Sequence, residues 1–227
     1  MHKNGQRCSE RHHQDHLIVL CVRWYLRYCL TLRDLEELMR ERGCVSIIPT
    51  IGRWVLRYAP ELNKRIRREI RPPNRSRRVD ETFVRVAGAW TYLCRAVESA
   101  GETIDFILSP KRDAVAAKYV LQMPLWFRPR VINVDGHASY PPAITELKKS
   151  GELECRCQCR LCPYLNNVLE QVHRFVKRIA TSLWFRSVDG ALRTIQGCEA
   201  MNMIRKGLVL AGIRALHRSP PICDRSV

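Results

Sequence analysis

The sequence lacks an apolar run long enough to cross a membrane. Its longest apolar run near the start, Leu17 to Val22, is followed at once by Arg23, whereas a membrane-spanning helix needs about 20 predominantly apolar residues. No signal-peptide cleavage pattern follows this run. These absences argue against a membrane protein or an exported one, and we expect the chain to act in the cytoplasm.

Acidic residues are scarce as well, since 22 Asp and Glu stand against 39 Lys and Arg and leave a formal charge of +17 on 227 residues. Much of the excess is Arg, whose planar guanidinium matches phosphate oxygens. Such a surface attracts polyanions, and solubility alone seldom needs so large a charge. Composition therefore favours a nucleic-acid partner and association with the nucleoid.

Cysteine is abundant, but its pattern does not indicate disulfides. The eleven cysteines are odd in number, and several lie in apolar settings, as expected for reduced thiols in the cytosol. Four of them form a cluster, Cys155, Cys157, Cys159 and Cys162. Their spacing does not match the paired C-x-x-C knuckles of structural zinc sites. We interpret the cluster as a half-buried or redox-labile strand and loop, and a zinc site is the alternative.

Apolar periodicity predicts three helices near the N-terminus, after a loose, polar and His-rich arm over residues 1–13. Asp34 is placed to complete a capping box at the start of the second helix, and Pro60 is expected to end the third. The predicted helices cover Gln14–Tyr28, Thr31 to the stop at Gly43, and Ile47–Ala59.

The third predicted helix has the layout of a DNA recognition helix. Its polar face carries the candidate DNA-binding residues Thr50, Arg53 and Arg57. Its apolar face carries Ile51, Val55 and Tyr58. The alternative is an ordinary surface helix with solvated arginines.

After residue 60 the pattern changes twice. Residues 61–78 are rich in Lys and Arg and contain Pro72-Pro73, and we interpret them as a basic linker lying along phosphates, with a solvated charged face as the alternative. From Val79 onward the apolar period becomes strand-like. The predicted order is β-β-β-α-β-α-β-α-α, over Val79–Val86, Trp90–Val97, Thr103–Leu108, about Arg112–Leu121, Arg130–Val134, Pro142–Lys149, a Cys-rich strand or loop, and helices near 164–182 and 187–206.

Three carboxylates are candidates for catalysis. Asp80 falls inside the first predicted strand, Asp135 ends the fourth, and Glu170 lies on a predicted helix rich in Arg and Lys. Thirty-four residues separate Asp135 from Glu170. Arg174 and Lys177, at i+4 and i+7, share the helix face of Glu170. Taken singly, each carboxylate is more simply a surface charge or the partner of an arginine.

The contexts of these residues are distinctive when taken together. They are Arg77–Thr82 (RRVDET), Val131–Asp135 (VINVD) and Tyr164–Arg174 (YLNNVLEQVHR), with Thr50–Val55 (TIGRWV), Leu108–Ala114 (LSPKRDA) and Tyr140–Ile144 (YPPAI) elsewhere. With the spacing of the carboxylates, they resemble the DDE transposases of short bacterial insertion sequences. The match covers the chain from about Leu17 to Gly207.

The resemblance implies an α/β architecture. A ribonuclease-H-like catalytic domain with a mixed five-stranded sheet is expected over residues 79–207. It follows a small all-α helix-turn-helix domain, with its N-terminal arm, over residues 1–60 and the linker over residues 61–78. Residues 208–227 are expected to form a C-terminal tail.

The resemblance also implies the chemistry. Asp80, Asp135 and Glu170 are expected to bind two Mg²⁺ or Mn²⁺ ions and to catalyse metal-dependent cleavage and transfer of DNA strands. The partners are then double-stranded DNA of the terminal inverted repeats and of the target. The recognition helix is expected to bind the repeats, and Arg174 and Lys177 the DNA near the cut. Because two ends must be brought together, we expect a homodimer.

Two departures from the family pattern leave alternatives open. Relatives commonly have Lys after the central Asp and Asp two residues after the Glu, where this chain has Gly136 and Val172. One alternative is a DNA-binding regulator or decayed transposase that occupies element ends without cutting. Another is a ribonuclease-H-like nuclease or integrase with a different substrate. Glu81, the neighbour of Asp80, is expected to point to the opposite face of its strand.

Overall fold

The computed structural model describes residues 4–42, 48–70, 72, 74–99, 102–122, 129–135, 137–162 and 185–209. The helices in these ranges are α1 (Asn4–Tyr28), α2 (Leu32–Arg40), α3 (Ile48–Glu69), α4 (Ala114–Gln122), α5 (Tyr140–Lys149) and α6 (Val188–Arg205). The strands are β1 (Ser76–Val86), β2 (Ala89–Glu98), β3 (Thr103–Ser109), β4 (Val131–Val134) and β5 (Gln158–Leu161). In this part of the chain, no helix is both long and apolar enough to span a membrane.

The strands form one mixed sheet in the order β3-β2-β1-β4-β5. β2 pairs antiparallel with β1 and β3, whereas β4 pairs parallel with β1 and β5. The β1–β2 hairpin turns at Ala87 and Gly88, whose φ angles of 50° and 84° lie in the left-handed region that a tight hairpin turn of this kind requires. This order and these directions confirm the predicted ribonuclease-H-like sheet.

Helices cover both faces of the sheet. On one face, α1, α2, α3 and α6 pack with β1, β2 and β3 around a first core, whose members include Leu26, Leu35, Ile51, Leu93 and Ile195. On the other face, α4 and α5 pack around a second core, whose members include Val79, Cys94, Val120, Ile132 and Leu147. The N-terminal helices therefore share a hydrophobic core with the sheet.

The start of α1 differs from the sequence-based expectation. The backbone of residues 4–13 continues the helix, so the predicted loose arm is wrong. Extending a helix that has already nucleated adds one backbone hydrogen bond for each residue that is fixed. Polar residues can extend a helix in this way without burying apolar surface. Apolar periodicity carries no signal for such a segment.

The predicted capping box of α2 is confirmed. Thr31 Oγ1 accepts a hydrogen bond from the N–H of Asp34 at 3.2 Å, and Asp34 Oδ2 accepts one from the N–H of Thr31 at 2.7 Å. Two backbone donors that the helix itself leaves unpaired are thereby satisfied. The start of the second helix is therefore fixed by local sequence.

Pro60 does not end α3, which continues to Glu69. Proline lacks the N–H that would donate to the carbonyl four residues earlier, and that carbonyl belongs to Leu56. Arg193 Nη1 of α6 lies 3.5 Å from Leu56 O and donates to it instead. The predicted helix end at residue 59 is wrong because a side chain from another helix replaces the missing donor.

Much of the predicted basic linker over residues 61–78 lies in regular elements. Residues 61–69 lie in α3, and residues 76–78 lie in β1. Arg67 Nη2 donates to Asp105 Oδ1 at 3.0 Å. Arg77 is buried, and burial lowers its pKa to about 10. Among the described cations of this segment, Lys64, Arg65, Arg68 and Arg75 lie exposed at the surface.

The packing of α6 against α1 and α3 depends on Gly197. A Cβ atom at this position would lie 2.5 Å from Ala59 Cβ and 2.8 Å from Leu26 Cδ1, well inside the optimal separation of two carbon atoms. Gly52 of α3 is different, since a Cβ there would lie 3.8 Å from Leu32 Cδ1, an ordinary contact. The same substitution should therefore have opposite effects at the two positions.

Gly197→Ala should destabilise the protein by about 1–3 kcal/mol, as overpacking of a core does. Gly52→Ala, the control, should stabilise it by up to about 1 kcal/mol because Ala is favoured over Gly inside a helix. The free energy of unfolding in urea measures both effects. A Gly197→Ala protein as stable as the wild type would contradict the close approach of the three helices.

Candidate active site

β1 and β4 bring two of the predicted catalytic residues together. Their parallel register pairs residues 76–78 of β1 with residues 131–133 of β4. Asp80 and Asp135 each lie two residues beyond the last pair of this ladder. Neighbouring strands lie about 4.8 Å apart. Two residues that are distant in sequence thus follow the same end of one parallel ladder.

Asp135 follows β4 directly, and its side chain is 46% exposed. Its Oδ1 accepts a hydrogen bond from the backbone N–H of His137 at 3.0 Å, a turn that Asp commonly forms with the residue two positions later. Its Oδ2 accepts a hydrogen bond from Arg112 Nη2 and forms an ion pair with it. Asp135 is therefore held at both oxygens while part of the carboxylate faces solvent.

Arg112 also contacts a second carboxylate. Its Nε forms an ion pair with Glu81 Oε2, and Tyr140 Oη donates to Glu81 Oε1. The Glu81 side chain is only 11% exposed. Glu81, which sequence analysis treated only as the neighbour of Asp80, is thus joined through Arg112 to Asp135.

Arg112 lies at the centre of the charges in this network. Burial alone lowers the pKa of its guanidinium, but the Glu81 and Asp135 carboxylates outweigh this effect and raise the pKa above its ordinary value. Burial and the charge of Glu81 raise the pKa of the Tyr140 phenol. The phenol therefore stays protonated and continues to donate to Glu81. The network consists of one cation between two carboxylates, with one of them supported by a neutral phenol.

A buried ion pair lies next to the position of Asp80 on the β2 side. Asp80 is paired in the antiparallel register with Arg95. Arg95 Nη1 and Glu199 Oε1 of α6 lie 3.5 Å apart, and the two side chains are 0% and 1% exposed. Breaking such a pair leaves an uncompensated buried charge, which costs several kcal/mol. The pair ties α6 to the strand beside Asp80.

The donor atoms at this edge of the sheet fit a hard divalent cation. Mg²⁺ prefers oxygen ligands and commonly takes one or two carboxylates together with water and phosphate oxygens. Asp135 offers an exposed carboxylate, and Asp80 follows the same end of the β1–β4 ladder. Within the described ranges, no group of three His, Cys, Asp or Glu residues is arranged to hold a metal ion. The remaining predicted site residues, Glu170, Arg174 and Lys177, lie outside those ranges, as do Gly136 and Val172.

The predicted DNA-binding residues lie on the outer side of α3. Arg53 and Arg57 are exposed, and Thr50 is half-buried. Ile51 and Val55, predicted for the apolar face, are buried in the first core. The two arginines are therefore free of the core and accessible from solvent.

Tyr58 does not behave as predicted for the apolar face. Its side chain is 39% exposed, and the Arg57 guanidinium lies 5.5 Å from the centre of its ring. Ala59, four residues after Val55, is buried instead. The buried row of α3 follows a spacing of four residues, which places position 58 at its margin.

In the cysteine cluster, Cys157 is buried, Cys162 is half-buried, and Cys155 and Cys159 are exposed. Burial raises the pKa of the Cys157 thiol. The cluster therefore combines a buried thiol with exposed ones.

The strand order and directions are those of a ribonuclease-H-like domain. The family model for the DDE domain of IS240 transposases matches residues 74–208. The chain is 32% identical over 207 residues to the transposase for insertion sequence-like element IS431mec of Staphylococcus aureus strain N315, covering 88% of this chain and 91% of that protein. The chain belongs to the DDE transposases of insertion sequences, as predicted.

Two further comparisons are with a second transposase and with a solved structure. The transposase for insertion sequence element IS257 in transposon Tn4003 of S. aureus is 32% identical over 207 residues, covering 88% of this chain and 91% of that protein. Among solved structures, the intasome of simian T-cell lymphotropic virus in complex with PP2A regulatory subunit B56 gamma is similar with a TM-score of 0.44 and 17% identity. That similarity covers 70% of this chain and 60% of the viral one.

Sequence analysis missed Arg112, Glu81 and Tyr140 as members of the site. Each lies in a stretch that carried the family resemblance: Arg112 in Leu108–Ala114, Tyr140 at the head of Tyr140–Ile144, and Glu81 directly after Asp80. A charged or aromatic residue inside a matched motif was therefore an available signal. Only the fold shows that the three residues converge.

Tyr140→Phe should make stability less sensitive to alkaline pH. The pKa of Tyr140 is raised in the folded protein, whereas a phenol in the unfolded chain ionises near pH 10. Above about pH 10 the unfolded state therefore loses a proton that the folded state keeps, and stability falls by up to about 1.4 kcal/mol per pH unit. Urea unfolding between about pH 8 and pH 11 measures this slope, which should be shallower in the variant.

Tyr119→Phe serves as the control, because Tyr119 lies on the exposed side of α4. Its slope should match that of the wild type. If Tyr140→Phe also retains the wild-type slope, the phenol does not hold its proton in the folded state in the way described.

Proposed function

We propose that the chain binds the terminal inverted repeats of an insertion sequence and catalyses metal-dependent cleavage and transfer of DNA strands through Asp80, Asp135 and Glu170. The observation that carries the proposal is the parallel register of β1 and β4, since Asp80 and Asp135 each follow two residues after the last pair of that ladder. Membership of the DDE transposases supports the reaction class.

In this proposal the three carboxylates hold two divalent cations, Mg²⁺ or Mn²⁺. When bound, these ions activate the attacking oxygen and stabilise the leaving oxygen in an in-line displacement at phosphorus. Asp135 suits the task because its carboxylate is exposed at a strand end, with Oδ1 oriented by the N–H of His137. Arg174 and Lys177 bind the DNA backbone near the cut.

The first half of α3 is proposed to recognise the element ends. Arg53 and Arg57 lie exposed on one side of this helix, and an arginine can donate two hydrogen bonds to the edge of a guanine. The formal charge of +17 supplies attraction to DNA of any sequence. We propose that residues 1–60 recognise DNA and that residues 79–207 form the catalytic region. The second half of α3 lies between these two regions.

The proposed reaction has two stages. The first releases a 3′-hydroxyl at the element end, and in the second that hydroxyl attacks a phosphodiester of the target DNA. Since both ends of the element must be held together, we propose that the chain acts as a homodimer.

Asp80→Asn, Asp135→Asn and Glu170→Gln should each abolish cleavage and joining while leaving end binding intact. The amide keeps the shape of the side chain but loses the charge that holds the cation. Labelled end DNA incubated with Mg²⁺ reports cleavage, and a gel shift without metal reports binding. Ca²⁺ should not replace Mg²⁺, because its coordination is larger and less regular.

Asp189→Asn is the matched control, since this carboxylate is 69% exposed on α6 and paired with Arg193. It should cleave as the wild type does. Cleavage by one of the three triad variants would remove that residue from the site. A wild-type protein that shifts end DNA but never cuts it would favour the decayed transposase or regulator suggested by Gly136 and Val172.

Arg53→Ala combined with Arg57→Ala should weaken binding to end DNA, because each lost base contact costs about 1–3 kcal/mol. Titrating an end duplex and a scrambled duplex at one salt concentration measures the loss of preference. Arg40→Ala combined with Arg65→Ala removes the same charge from two surface pairs, with Glu36 and Glu61, and should preserve the preference. An unchanged preference in the Arg53 and Arg57 variant would rule out α3 as the recognition helix.

A further inference from the structure

We propose that Arg112 is the resident counter-cation of Asp135 when no metal is bound, and that a divalent cation must displace it before Asp135 serves as a ligand. This inference rests on the proposed function, because it takes Asp135 as a metal ligand. Arg112 Nη2 contacts Asp135 Oδ2, and Nε of the same guanidinium contacts Glu81 Oε2. One cation therefore spans two carboxylates, and only one of them is a proposed ligand.

The two ends of this bridge differ in their exposure to water. Glu81 is 11% exposed, its Oε2 forms the ion pair with Arg112 Nε, and its Oε1 accepts a hydrogen bond from Tyr140 Oη. Asp135 is 46% exposed. Water screens an exposed ion pair, whereas breaking a buried one leaves a buried charge without its partner. The contact with Asp135 is therefore the weaker one, and Arg112 can release Asp135 while it stays bound to Glu81.

Asp135 does not depend on Arg112 for its position. The backbone N–H of His137 donates to Oδ1 at 3.0 Å, so the carboxylate stays oriented after the guanidinium leaves Oδ2. Arg112 and a divalent cation then compete for the same carboxylate as charges of the same sign, which repel each other at short range. The wild-type arginine should therefore weaken metal binding at Asp135.

Competition between Arg112 and a divalent cation predicts the direction in which metal affinity changes. Removing the charge of Arg112 should tighten metal binding to the metal-free protein. A residue that only supported the local structure would act in the opposite direction, because its loss would loosen Asp135 and weaken metal binding. Metal affinity thus separates competition from structural support without any measurement of catalysis.

Titration of the full chain with Mn²⁺, followed through the electron paramagnetic resonance of the free ion, tests the proposal. Arg112→Gln should bind Mn²⁺ roughly tenfold more tightly than the wild type, since removing a unit charge at contact distance changes an equilibrium by about that much even with solvent screening. Arg112→Lys keeps the charge and should match the wild type. Arg40→Gln, which removes a surface charge paired with Glu36, controls for net charge and should also match it.

Asp135→Asn distinguishes failure of this inference from failure of the proposed function. If Asp135→Asn binds Mn²⁺ as tightly as the wild type, Asp135 is not a ligand, and the inference falls with the proposed function. If Asp135→Asn loses binding while Arg112→Gln binds no more tightly than the wild type, the proposed function stands and the inference is overturned.

A second pair of variants covers the case in which Arg112→Gln does not fold, since that change leaves the buried Glu81 without its cation. Glu81→Gln combined with Arg112→Gln removes both charges. This double variant should bind Mn²⁺ more tightly than Glu81→Gln alone. Equal affinities of the two would overturn the competition between Arg112 and the metal.

Discussion

β1 and β4 pair in parallel over residues 76–78 and 131–133. The arrangement of the candidate active site depends on the register of this short ladder. A slip of one residue would turn every side chain of one strand to the opposite face and would separate Asp80 from Asp135. Both strands are held in place from their other sides, β1 by β2 and β4 by β5. Backbone hydrogen bonds at the centre of the sheet thus set the spacing of side chains that are distant in sequence.

Arginine serves different purposes in different parts of this basic chain. Arg53 and Arg57 are exposed on α3, where they are available to DNA. Arg67 and Arg95 instead form ion pairs within the protein, the first joining α3 to β3 and the second joining β2 to α6. Arg112 also forms ion pairs within the protein, but it bridges two carboxylates at the candidate site. The net charge of +17 therefore includes arginines that contact protein carboxylates rather than DNA.

The features that sequence analysis located depend on local patterns. The capping box at Thr31 and the end of β4 before Asp135 each follow from a few adjacent residues. The continuation of α3 through Pro60 could not be found in this way, because the donor that reaches Leu56 O comes from a residue 137 positions away. The bridge between Glu81 and Asp135 was hidden for the same reason: its arginine lies on a separate segment, and its role exists only once the sheet has formed.

The first half of α3 carries Arg53 and Arg57, the proposed DNA-recognition residues. The helix also packs in the core shared with α1 and α6 and ends at Glu69. From Arg53 to the end of the helix the rise is about 24 Å, at 1.5 Å per residue. The close approach at Gly197 leaves no room for α3 and α6 to slide past each other. A continuous helix thus runs where the sequence predicted a helix end at residue 59 followed by a basic linker. On the proposed function, a helix of fixed length would make an element end depend on the spacing between the recognised sequence and the cleaved bond as well as on base identity.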